Sequence, residues 1–313
     1  MLIMVSKIKS IFHLLRIRQY YKNVLVFVGF FFSKQLFEIK LYFPLILGFV
    51  LLCCASSLNY IINDIRDIKK DRSHPEKMKK KPLASGEISV YFALIIILLL
   101  SAIIIFFLIF VIPNLGFITM IVFLIISGQL YNHLFKRYAF IDIIILSTGY
   151  LWRALAGCMI IEEFVSAWLF LAIFEVAMFL SIAKRKSDLE FLGKDKAIEH
   201  KKIYDQYSGR LLDQFHILIA GSLFMTYSLY LILIFNLDEP GIATVYEYIS
   251  IFTIPISLYI IMRYMYLTSA KPKIARNPEK AFFDKGIIIA GFTLFIILFF
   301  SFYFDKIVEM LNL

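Results

Sequence analysis

Nine stretches of this chain read as apolar enough to cross a bilayer, and nothing constrains its fold more. Lipid offers the backbone no hydrogen-bond partner, so spans of this kind satisfy their own N–H and C=O groups as helices. Runs such as Tyr91–Pro113 and Phe282–Phe304 have the length that a helical span needs. The spans are expected at 23–38, 41–62, 89–111, 115–133, 139–161, 165–183, 211–236, 247–268 and 282–304, the first being the shortest. Composition agrees: 61% of residues are hydrophobic and the mean hydropathy is +0.81, well outside the range of soluble domains. The expected fold is an all-α integral membrane bundle of nine transmembrane helices, one domain over 1–313, with cytoplasmic cap loops at 63–88 and 184–210.

Charge orients the bundle. With the N-terminus in the cytoplasm and the loops alternating, every Lys and Arg lies on the inner side except Lys34, Lys40, Arg153 and Lys306. That asymmetry predicts a multi-pass protein of the inner or plasma membrane whose long loops are cytoplasmic. The net charge of +10 then belongs to one membrane face, where it suits anionic head groups and phosphorylated substrates. Nucleic acid is excluded as a partner, because the basic residues interleave with helices anchored in lipid. Residues 1–22 carry Lys7, Lys9, Arg16, Arg18 and Lys22 and read as an amphipathic interfacial helix, not a cleavable signal peptide. Cys53, Cys54 and Cys158 all fall in spans and match no zinc or disulfide spacing.

Chemistry concentrates in residues 63–86, NDIRDIKKDRSHPEKMKKKPLASG. Asp64, Asp67 and Asp71 recur at helical spacing, so the pattern predicts three carboxylates on one face. They repel one another unless cations sit between them, and hard divalent ions, Mg²⁺ above all, bind oxygen ligands and bring phosphate along. Asn63 precedes the acids; Lys69, Lys70, Arg72, Lys77 and Lys79–Lys81 follow and suit phosphate oxygens. The alternative is a charged, solvated loop between two membrane helices.

The second cap, 184–213, opens with Lys184, Arg185 and Asp188 where the sixth span meets the cytoplasm. Two readings stand: an ordinary ion pair between Lys184 and Asp188 one turn apart, or Lys184 and Arg185 on phosphate with Asp188 on a second metal. Tyr204 and Tyr207 offer hydroxyls to a sugar, and Ser208 suits a helix cap. Lys22-Asn23 lies at head-group depth, as a snorkelling anchor or a phosphate contact. Arg153 and Glu175 lie inside spans, where an ionisable group needs a partner, and Asp142 stands near the cytoplasmic end of the fifth span. His74 has no companion at metal-ligand spacing. Asp284 suits the positive end of the last helix.

The N-D-x-x-D-x-x-x-D motif of Asn63–Asp71, with the following Lys81-Pro82-Leu83-Ala84-Ser85-Gly86, resembles the UbiA superfamily of intramembrane prenyltransferases. Aromatic prenyltransferases of that superfamily carry several acids in a second motif. This chain has Lys184-Arg185-Lys186-Ser187-Asp188-Leu189 there, which is similar to the decaprenyl-phosphate phosphoribosyltransferase branch. Segments 18–24, 71–75, 151–157, 207–214 and 277–284 extend that likeness along the chain. The resemblance implies Mg²⁺-dependent transfer of 5-phosphoribose from 5-phosphoribosyl 1-diphosphate to a polyprenyl (decaprenyl-like) phosphate, with diphosphate released, for lipid-linked pentose in cell-envelope glycan synthesis. It gives Asp64, Asp67 and Asp71 the metal and the leaving group, and makes Lys22, Lys184 and Arg185 candidates for the lipid phosphate or the donor's 5-phosphate. A homo-oligomer is a further expectation. Two other functions stay open: prenyl transfer from a prenyl diphosphate to an aromatic ring, and a non-enzymatic transporter or lipid-binding protein.

Overall fold

The computed structural model describes residues 2–73, 78, 80–164, 166–239, 241–271 and 278–311. Lys77, His74 and Asn277 lie outside them. Nine helices organise these residues: α1 (Leu2–Leu15), α2 (Tyr42–Arg66), α3 (Val90–Phe110), α4 (Leu115–His133), α5 (Ile141–Ile161), α6 (Ala167–Leu192), α7 (Gly209–Ile234), α8 (Thr253–Ala270) and α9 (Lys285–Met310). Eight helical stretches are long and apolar enough to cross a membrane among the described residues, α2 to α9, with α8 prolonged upstream to Val245 and α2 to Ile39. Large apolar side chains such as Leu98, Phe110, Ile217 and Phe292 point outward, as lipid-facing surfaces require. The caps begin inside the spans, α2 running to Arg66 and α6 to Leu192.

The structure divides into two compact units, Met1–Leu134 with Thr148–Phe164, and Phe135–Ser147 with Val165–Leu313. In the first, α2 packs on α3 and α4, burying Leu51, Leu52, Ala55 and Leu58 with Phe117, Ile121 and Leu124. Asn59 ties α2 to α4, donating to the Leu124 carbonyl at 3.1 Å and accepting from Gln129 at 2.6 Å.

The expected first span, 23–38, is not one α-helix. Arg16 takes a left-handed conformation (φ 54, ψ 45) and ends α1 there, short of the expected residue 22. The chain continues as a 3₁₀ helix, Ile17–Phe27, and a short α-helix, Val28–Phe32. It runs beside α2 in the opposite sense: Arg16 meets Asp64, Tyr20 meets Ser57, Asn23 meets Cys53, and Tyr42 donates to the Leu36 carbonyl. Small residues on α5 admit it. Ala156 is fully buried, and a Cβ on Gly157 would stand 1.8 Å from the Val26 carbonyl oxygen. Gly157→Ala is therefore expected to force two backbones apart, costing about 1–3 kcal/mol. Gly221→Ala on α7, where nothing lies within 4 Å, is expected to be neutral or slightly stabilising. Melting of both variants in detergent checks this; equal melting temperatures would refute it.

In the second unit α6 and α7 form the main pair. Lys186 on α6 reaches Asp213 on α7 at 2.6 Å and Ser269 on α8 at 2.9 Å, fastening three helix ends. Arg263 grips Asp284 through two bonds of 2.9 and 3.0 Å, and Asp284 also accepts from the amides of Gly286 and Ile287, capping α9. Ser208 caps α7 through the Leu211 amide. Within the span, Ser222 donates to Glu175.

Candidate functional site

The acidic motif sits where α2 ends. The helix stops at Arg66, Asp67 is its C-cap, and a short helix, Ile68–Arg72, resumes at once. The Asp71 amide still bonds to the Asp67 carbonyl at 2.8 Å, so the break does not swing Asp71 away. Asp64 and Asp71 are both buried. Their carboxylates converge on one point, the Lys81 Nζ, at 2.8 and 2.6 Å. Arg16 adds a bond of 2.7 Å to the same Asp64 oxygen, and its guanidinium lies 4.6 Å from the centre of the Tyr60 ring. Burial disfavours the Lys81 ammonium, but Asp64 and Asp71 outweigh it and raise its pKa above the ordinary lysine value, so it is charged at neutral pH.

Lys81 reaches this point because Pro82 starts a short helix, Pro82–Ser85, that ends at Gly86 in the left-handed region (φ 83), where glycine carries no steric penalty. Arg72 bonds to the Ala84 carbonyl at 3.3 Å and fastens the two short helices together.

Two of the three expected carboxylates are thus brought to a common cation. No group of three or more His, Cys, Asp and Glu side chains is close enough to hold a metal ion among the described residues. Mg²⁺ usually takes one or two protein carboxylates and completes its shell with water and substrate phosphate. The donor set fits: two buried carboxylates already gathered around positive charge, and beside them Asn63, whose Oδ1 is buried without a hydrogen-bond partner among the described residues. Lys81→Met is expected to destabilise the metal-free protein by roughly 1–3 kcal/mol, since a buried carboxylate loses its charged donor. Mg²⁺ should restore it, raising the melting temperature more in the variant than in the parent. Equal Mg²⁺ shifts would overturn that.

Below Asp64 the same face of α2 stays polar, with Tyr60 and Ser56 at successive turns. Tyr20 shares a 2.8 Å hydrogen bond with Ser57, and Ser57 donates to the Leu15 carbonyl. Asn23 accepts from Arg153 Nε at 2.7 Å and from Ser56. Arg153, expected to need a partner in the span, also bonds to Ser56 and to the Gly149 carbonyl. The half-buried Lys22 has its ammonium 5.7 Å from the Tyr150 ring centre, and Arg153 lies 5.9 Å from the same ring.

The second unit carries its own cluster. Arg185, only 3% exposed, donates through Nε and Nη2 to Asp142, and Tyr207 donates to the other Asp142 oxygen at 2.6 Å. Tyr204 donates to Asp188 at 2.5 Å. Burial, supported by those acids, raises the phenol pKa of Tyr204 and of Tyr207, so both remain donors. Lys184 is exposed. Lys201 is pushed well below the ordinary lysine value by the Arg185 guanidinium; its side chain is exposed, so repulsion from Arg185 and Lys184 outweighs burial as the cause. Arg185 is thus committed to an acid that lies 43 residues away in sequence, and Asp188 accepts from Tyr204.

Comparison with known proteins follows the same lines. Residues 23–283 match the UbiA prenyltransferase family. The chain is 29% identical over 183 residues to decaprenyl-phosphate phosphoribosyltransferase of Mycolicibacterium smegmatis, covering 58% of this chain and 56% of that one. It is 26% identical over 226 residues to the enzyme of that name from Mycobacterium tuberculosis (69% and 72% covered), and 28% over 222 residues to that of Corynebacterium glutamicum (69% and 65%). Among solved structures, a UbiA homolog from Archaeoglobus fulgidus bound to GPP and Mg²⁺ superposes with a TM-score of 0.64 at 19% identity, over 94% of this chain and 99% of that one. With the all-helical fold and the motif of Asn63–Asp71, the match over most of the length settles the family: this chain belongs to the UbiA prenyltransferase family.

Proposed function

We propose that the protein is a Mg²⁺-dependent membrane transferase that moves 5-phosphoribose from 5-phosphoribosyl 1-diphosphate to a polyprenyl phosphate of the decaprenyl type. Relatives named for that reaction support it. The observation that carries it is the polar descent from Asp64 through Tyr60, Ser57 and Ser56 to Asn23 and Arg153. A prenyl tail calls for apolar side chains beyond its diphosphate; a phosphorylated pentose calls for hydroxyls, amides and a cation.

Asp64 and Asp71, with Asn63 and Asp67 beside them, would hold Mg²⁺ against the diphosphate, and the ion would offset the charge of the leaving group. An oxygen of the lipid phosphate attacks ribose C1, the C1–O bond to diphosphate breaks, and diphosphate leaves with the bonding pair. The nucleophile is already an anion, so no strong base is needed. Arg16, Arg72, Lys77 and Lys81 supply positive charge to diphosphate oxygens. In the second unit Lys184 would take a phosphate, Arg185 holds Asp142, which also accepts from Tyr207, and Asp188, bonded to Tyr204, would hold a second metal ion.

The segment 17–32 makes the ninth crossing. Eleven residues at roughly 2.0 Å and five at roughly 1.5 Å give about 30 Å, the thickness of the hydrocarbon core. Its irregular backbone is tolerated because protein covers it: Asn23, Val26, Gly29 and Phe30 are buried. With nine crossings, the basic residues of both caps and of the N-terminal stretch would all face the cytoplasm, as the positive-inside rule expects.

Membranes given labelled 5-phosphoribosyl 1-diphosphate and a polyprenyl phosphate should label the lipid, and chelation of Mg²⁺ should abolish labelling. No lipid label beside a working control enzyme, or transfer from geranyl diphosphate to an aromatic ring, would overturn the proposal.

A further inference from the structure

Arg153 stands out once the acidic motif is accounted for. It is 7% exposed within a membrane-spanning helix, and its hydrogen-bond partners are neutral: Asn23, Ser56 and the Gly149 carbonyl. Its electrostatic neighbours Tyr60, Tyr150, Cys53 and Tyr21 include no carboxylate. A guanidinium has five N–H donors, and three are engaged here. A buried cation held only by dipoles is costly to keep unless an anion joins it. Lys22 brings a second positive charge to the other contact of the Tyr150 ring.

We infer that Arg153, oriented by Asn23 and Ser56 and assisted by Lys22, binds a phosphate monoester, the 5-phosphate of the donor. This rests on the phosphoribosyl reading above. Ser56 and Asp64 are eight residues apart on one face of α2, about 12 Å along the axis. Ser56, which accepts from Arg153, and Asp64 mark the two ends of that interval, a length on the scale of a pentose carrying phosphates at C1 and C5. A prenyl diphosphate has no second phosphate, so the same cation selects the donor class. The lipid acceptor also ends in a phosphate monoester, but the hydroxyls and amide around Arg153 are poor company for a polyprenyl chain.

The test measures binding to purified protein in detergent with Mg²⁺, using 5-phosphoribosyl 1-diphosphate, ribosyl 1-diphosphate without the 5-phosphate, and farnesyl phosphate. The parent should bind the first far more tightly than the second. Arg153→Gln should weaken the first by roughly 10- to 100-fold, the loss of a charged hydrogen bond to an anion, and leave the second unchanged; Arg153→Lys should keep part of the preference. Lys22→Gln should show the same selectivity with a smaller loss, and it decides the matter if Arg153→Gln yields no folded protein. Equal weakening of both ribosyl ligands would mark Arg153 as a structural anchor and overturn the inference, as would unchanged binding. Weakening of farnesyl phosphate alone would move the site to the acceptor. No binding of the phosphoribosyl donor by the parent would instead overturn the phosphoribosyl reading itself.

Discussion

Asp64→Asn is expected to lower transfer about 100-fold or more, the scale on which removal of one charge-stabilising group slows a reaction, while the protein still folds and inserts. Asn keeps the shape of the side chain and removes its charge. The two cations bonded to Asp64 each retain another partner, Lys81 in Asp71 and Arg16 in the face of Tyr60, so the short helices of the cap stay fastened. What is lost is one of the two carboxylates converging on the Lys81 position, and with it the hold on Mg²⁺ and the leaving diphosphate. The signature is a fall in turnover and in Mg²⁺-dependent donor binding, with monodisperse protein of unchanged melting temperature in detergent. Asp71→Asn should behave alike. Loss of membrane-inserted protein in both variants would show that the two acids serve structure instead of chemistry.

The sequence carries much of this arrangement, and the parts it withholds have physical reasons. Apolar length alone finds α2 to α9, because a bilayer demands one helix per long apolar run; the 115–133 expectation coincides with α4, whereas α6 runs past the expected residue 183 to Leu192. The segment 17–32 escapes that logic. Its Val26 carbonyl lies against Gly157, a contact between residues more than a hundred positions apart that no local rule reports. The acidic motif was legible from spacing, since Asp64 and Asp71 stay within two turns. The partners of those acids were not: Arg16 is 48 residues from Asp64, and helical periodicity speaks only of neighbours three and four apart. The same blindness applies to Asn23, Ser56 and Arg153, which three separate segments bring together. Arg16 was visible only as one basic residue among five in an N-terminal stretch. Ser208 and Asp284, by contrast, act as the caps that local rules assign them.

The second unit gives the other large effect. Arg185 and Asp142 are 3% and 0% exposed, joined by bonds of 3.1 and 2.7 Å, with the Tyr207 hydroxyl on the remaining carboxylate oxygen. Truncating one member of such a pair leaves the other charged, desolvated and alone, so Arg185→Met is expected to cost about 3–5 kcal/mol. Tyr207 cannot compensate, because its single hydroxyl proton is already given to Asp142. Replacing both members, Asp142→Asn with Arg185→Met, should recover most of the loss, since the uncompensated charge is then gone. Lys184→Met removes an exposed cation and should leave stability within about 0.5 kcal/mol while weakening transfer. Melting of the four proteins in one detergent separates the roles of these adjacent residues. If Arg185→Met melts like the parent yet loses transfer, Arg185 meets substrate directly. If Arg185→Met melts low and the double variant regains both stability and measurable transfer, its task is to hold Asp142 and the tyrosines where the second motif needs them.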